Sequence, residues 1–77
     1  MEFLASVKGN PLESVDPEMR HFPEYKGAHR LSSNEPVAIL IYIDSENQEA
    51  ADSLRPKIEE HLNLSGTFSV GPFRRVS

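Results

Sequence analysis

The longest run of apolar positions, Val37-Ala38-Ile39-Leu40-Ile41-Tyr42-Ile43, predicts a β-strand. It is rich in β-branched residues and too short for an independent helix. Alternation sends Val37, Ile39, Ile41 and Ile43 to one side and Ala38, Leu40 and Tyr42 to the other. Both sides are apolar, which implies burial on both, as in a central strand of a parallel sheet. Pro36 suits the start of such a strand, where its missing N–H is no loss to the ladder.

The polar cluster Asp44-Ser45-Glu46-Asn47-Gln48 ends the strand. Ser45 with Gln48 three residues later fits a capping box, and Asp44 is a rival cap. The apolar positions Ala50, Ala51, Leu54, Ile58 and Leu62 then keep helical spacing. They predict a helix over about 46–62, with Glu46 and Glu49 at the positive end of its dipole. Pro56 falls inside it, opposite the apolar stripe. There it bends the helix near residue 55 and frees the carbonyl of Asp52 to bond water. After Asn63 to Gly66, Thr67-Phe68-Ser69-Val70 alternates with Phe68 and Val70 inward. Gly71-Pro72 interrupts the pattern, and residues 73–76 resume it beyond a bulge. A strand-helix-strand unit of this kind has parallel strands and a right-handed crossover.

The first 35 residues are polar and loop-rich. Phe3, Ala5 and Val7 share one side of an extended segment that stops at the turn Gly9-Asn10-Pro11, so a strand is expected there. Asp16-Pro17-Glu18 reads as a helix start, with Asp16 as cap and Pro17 in the first turn. Pro23 limits that helix to about two turns. Residues 24–35, with Gly27, two serines and Asn34, read as loop. The expected fold class is α/β (or α+β): a small single domain with a β-α-β core over 36–77. Segment 1–35 adds an N-terminal strand and a short helix.

Composition narrows the function classes. A chain of 77 residues buries only about 60% of its unfolded surface, so small domains of this size often lean on a disulfide, a metal or a partner. There is no cysteine, which excludes disulfides, thiol catalysis, Cys-zinc sites and iron–sulfur clusters, and fits a reducing cytoplasm. No apolar run reaches the roughly 18 residues of a membrane span, and the N-terminus lacks the basic start and apolar core of a signal peptide. The net charge of −4 disfavours general nucleic-acid binding. Residues 36–64 hold six acids and two bases, whereas the last thirteen residues carry only Arg74 and Arg75.

Three candidate sites follow. Ligands of open parallel sheets bind beyond the carboxyl ends of the strands, which points to Asp44, Ser45 and Asn47. Those residues equally serve as helix caps, and the glycines that usually admit a phosphate are missing. Phe73, Arg74 and Arg75 form a candidate partner-binding or base-stacking spot. His21, Glu24 and His29 lie across Pro23 and Gly27 at no recognised metal-ligand spacing, and His61 falls at the edge of the helical stripe as a packing residue. No catalytic constellation, metal site or cofactor motif is expected. No Gly-x-Ser-x-Gly elbow occurs.

The face count is the most telling feature. The central strand is apolar on two sides, and one long amphipathic helix covers one of them. Either the N-terminal third covers the other, or a partner chain or second copy does. The reading is a non-enzymatic interaction or regulatory module acting through a sheet face or edge. Small-ligand or anion sensing at the strand-helix junction, and weak nucleic-acid binding at the C-terminus, are its alternatives.

Overall fold

A computed structural model describes residues 1–30 and 38–76. The expectations for Leu31 to Val37 lie outside the described residues. The elements are β1 (Glu2–Asn10), a 3₁₀ turn (Leu12–Ser14), α1 (Val15–Met19), β2 (Tyr25–Arg30), β3 (Ala38–Asp44), α2 (Gln48–Leu62), β4 (Thr67–Val70) and β5 (Arg74–Arg75). They form a small α+β domain.

β1 is the spine. It pairs with β3 from Glu2↔Asp44 to Lys8↔Ala38 on one side. On the other it pairs with β4 (Val7↔Val70 to Asn10↔Thr67) and then with β5 (Phe3↔Arg75, Leu4↔Arg74). The order is β2-β3-β1-β4, and every pairing is antiparallel. β3 and β4 therefore run in the same direction, as a strand-helix-strand unit requires, but β1 is inserted between them. The same holds for β1 and β2, split by β3. This is the split β-α-β, or ferredoxin-like, connectivity. The parallel sheet expected from β3 is thus corrected to an antiparallel one. Continuous apolar character reports central position, and neighbour direction is a separate matter.

The N-terminal strand forms as expected, with Phe3, Ala5 and Val7 buried. Gly9 adopts φ +143°, and a β-carbon there would sit 2.1 Å from the Thr67 carbonyl oxygen. The close approach of β4 therefore requires glycine. The α1 region starts earlier than Asp16. A 3₁₀ turn leads into Val15, and the Ser14 side chain caps nothing in the helix. Asp16 instead accepts hydrogen bonds from the Tyr25 hydroxyl at 2.5 Å and from Arg20.

Residues 25–30, expected as loop, are strand β2. Tyr-Lys-Gly-Ala-His-Arg has no apolar alternation to betray it, and pairing with β3 supplies what propensity does not. Further along, β4 forms where expected, and β5 resumes the same edge after Gly71-Pro72. The Gly71 N–H donates to the Ser6 carbonyl between them.

The core lies on one side of the sheet. Phe3, Ala5 and Val7 of β1, Ile39, Ile41 and Ile43 of β3, and Phe68 and Val70 of β4 meet Val15 and Met19 of α1 and Ala51, Leu54, Ile58 and Leu62 of α2. Both helices cover this one face. The described residues of the N-terminal third do not close the opposite face: they supply a central strand to the sheet and a second helix to the layer that α2 already occupies.

Candidate functional site

Among the described residues, no element covers the second face of the sheet. The registers set out its side chains. Gly27, Tyr42, Leu4 and Arg74 form one row across β2, β3, β1 and β5. His29, Leu40 and Ser6 form the next, and Ala38, Lys8 and Ser69 the third. Leu4, Leu40 and Tyr42 are half-buried by one another and by the sheet, while their counterparts on the helix side are fully enclosed. Between Leu4, Ser6, Leu40, Pro72 and Arg74 lies a depression of about 260 Å³. The surface is an apolar centre, with Lys8 at one end and Arg74 at the other.

The three residues of the C-terminal spot separate. The Phe73 ring is only 3% exposed and belongs to the core, and its carbonyl accepts from the Gln48 side chain at 2.9 Å. It offers no face for stacking. Arg74 pairs with Leu4 and Arg75 with Phe3, so strand alternation sends the two arginines to opposite sides of the sheet. Arg74 alone joins the open face.

Asp44, Ser45 and Asn47 do come together, in separate duties. Asn47, not Ser45 or Asp44, caps α2, its Oδ1 accepting from the Ala50 N–H at 2.8 Å. The Asp44 carboxylate takes the N-terminal ammonium at 2.9 Å, and that contact holds its pKa below the usual carboxylate range. The Ser45 N–H donates to the Met1 carbonyl. A shallow recess of about 330 Å³ opens beside them, bordered by the acids Asp44 and Glu46, which repel an anion.

The histidines pair in a way spacing did not announce. His21 stacks on His61 with centroids 4.4 Å apart, Phe22 sets its edge against both, and His61 Nε2 lies 3.1 Å from Glu18 Oε2. This clasp joins the end of α1 to the end of α2, which agrees with a packing role for His61. Among the described residues, no group of three or more His, Asp or Glu is arranged to hold a metal ion. No described helix is long and apolar enough to cross a membrane.

The edges of the sheet differ as well. On β4 the outward groups of Phe68 and Val70 are all bonded by α2. Asn63 Oδ1 accepts from the Phe68 N–H at 2.6 Å, and its Nδ2 donates to the Phe68 carbonyl at 3.1 Å. Glu59 accepts from the Val70 N–H at 2.9 Å, and Arg55 donates to the Val70 carbonyl at 2.8 Å. Three side chains spaced i, i+4, i+8 thus replace a neighbouring strand. Sequence reasoning missed them. The available signal was that each follows a stripe residue: Leu54-Arg55, Ile58-Glu59 and Leu62-Asn63. The β2 edge is blunted differently, by a bulge between Tyr25 and Gly27 and by Lys26 within it. Gly27 takes φ +148° with nothing within 4 Å of a β-carbon position, so it serves conformation rather than space.

Comparison with protein-family models, with curated proteins and with solved structures gave no match.

Proposed function

We propose that this chain is a non-enzymatic interaction module that binds another polypeptide through the open face of its sheet. The observation behind the reading is the packing of both helices on one side, which leaves Leu4, Leu40 and Tyr42 grouped on the other. A grouped apolar surface with a charged rim is the ordinary composition of a recognition patch. Both edges carry devices against strand pairing, which favours the face over the edge. The lack of cysteine is compatible with work in the cytoplasm.

The other readings have less behind them. Base recognition on a four-stranded sheet uses several stacking rings, and with Phe73 buried the described residues of this face offer only Tyr42 and, towards the β2 edge, His29. At the strand-helix junction, Asp44 and Asn47 already have partners.

The test is to pan a random dodecapeptide library on the immobilised chain. The counter-target is the double variant Leu40→Thr/Tyr42→Thr, which keeps β-formers at both positions. Peptides that bind the wild type at least tenfold more tightly support the reading. Peptides indifferent to the variant, or no binders at all, overturn it.

A further inference from the structure

The charges of this acidic chain are sorted by layer. The strands carry five bases (Lys8, Lys26, Arg30, Arg74, Arg75) and two acids (Glu2, Asp44). The intervening segments, residues 11–24 and 45–66, carry nine acids and three bases. The sheet is thus basic and the helical layer acidic. On the open face, Asp44 is compensated: the N-terminal ammonium bonds it, and Lys26 acts on it as well. Lys8 and Arg74 are not compensated. Among the described residues, no hydrogen bond or ion pair engages the side chain of either.

We infer that the partner of this face is an extended acidic peptide segment in which an apolar residue stands between two carboxylates four residues apart. The inference rests on the reading of the open face as a polypeptide-binding surface. Arg74 lies beside Leu4 and Lys8 lies four residues along β1 from it, a separation of about 13 Å at strand rise. In an extended partner, residues i and i+4 lie on one side with the same spacing, and i+2 lies between them. Carboxylates at i and i+4 reach Arg74 and Lys8, and the side chain at i+2 enters the depression lined by Leu4, Leu40 and Pro72. Arg74 can hold its carboxylate through two parallel N–H bonds.

The same dodecapeptide library tests this, with sequence as the readout. The expected winners are acidic peptides with the acid-x-apolar-x-acid spacing. Their affinity should fall at least tenfold in Arg74→Glu, and Lys8→Glu/Arg74→Glu should select basic peptides instead. Both variants should fold, since neither residue has a partner to lose. Winners that are neutral or basic, yet still lose affinity in Leu40→Thr/Tyr42→Thr, overturn the acidic partner and leave the interaction surface standing. Acidic winners indifferent to Arg74→Glu overturn it too. So does a single-stranded uridine 12-mer that binds this face more tightly than any peptide. The absence of any face-dependent peptide removes both conclusions together.

Discussion

The two faces of one sheet are built from the same two central strands, β1 and β3, and have opposite characters. On one, Phe3, Ala5, Val7, Ile39, Ile41 and Ile43 are sealed under two helices. On the other, one residue out of register each time, Leu4, Ser6, Leu40 and Tyr42 meet water. A period-2 element assigns its neighbours to different fates, so adjacent positions of one strand can serve stability and recognition separately. The difference teaches that apolar character alone does not mark the core. What marks it is apolar character opposite a helix that can cover it.

The contrast breaks if the two faces contribute alike to stability. Ile41→Ala removes a fully buried side chain between the sheet and the helices, and should cost about 2–5 kcal/mol in urea unfolding. A cost under about 1 kcal/mol at Ile41 would show that the helical layer is not the true core.

The two edges give the next largest effect. Glu59→Ala leaves the N–H of buried Val70 without its acceptor, which should cost about 1–3 kcal/mol. It also opens the β4 edge, so the variant should aggregate faster than wild type on gentle heating. Light scattering during the ramp reads this. A Glu59→Ala protein as stable and as monodisperse as wild type would mean that the helix is not standing in for a strand.

How far the sequence carried these features depends on their range. The strand at Ala38–Asp44, the helix to Leu62 and the inward side of Thr67–Val70 were legible because each has a strong local pattern: an unbroken β-branched apolar run, a helical stripe and a clean alternation. The strand at Tyr25–Arg30 was not, because an edge strand with a bulge and a central glycine has no period of its own. The insertion of β1 between β3 and β4 was equally hidden. Strand order is decided by long-range pairing, and a local pattern is silent on it. At the site, the second apolar face was visible in Leu40 and Tyr42, and counting faces raised the question of its cover. The answer needed the direction in which α1 packs. Of the candidate spot Phe73, Arg74 and Arg75, Arg74 is exposed on the open face, Phe73 is buried and Arg75 lies on the other side of the sheet. Adjacent residues in a strand point apart, and the chain becomes strand again only at Arg74.

A smaller effect sharpens the link between the layers. The Tyr25 hydroxyl donates to Asp16 at 2.5 Å, tying β2 to α1. Tyr25→Phe should cost about 1 kcal/mol at neutral pH. The pH dependence is the stronger test. The Tyr25 bond holds the Asp16 pKa below the usual carboxylate range, so that contribution is present above the ordinary value and lost as pH falls below about 4. Burial first, and then the bond to Asp16, raise the Tyr25 pKa, so its contribution is present below about pH 10 and lost as pH climbs beyond. The stability gap between wild type and Tyr25→Phe should therefore be widest between those limits and narrow on both sides. A gap independent of pH would mean that the two groups do not act on each other.

The smallest expected change is on the open face, and its smallness is the point. Leu40 is half-buried, and Leu40→Thr replaces it with a residue that suits a strand as well. Folding stability should move by no more than about 0.5 kcal/mol, a fraction of the Ile41→Ala cost one residue away. Urea midpoints of the two variants, measured side by side, give the ratio directly. If Leu40→Thr costs as much as Ile41→Ala, then Leu40 is a core residue and the open face is not free for a partner. If it costs almost nothing while peptide binding is lost, an apolar side chain is being kept on a wet surface for a reason other than folding.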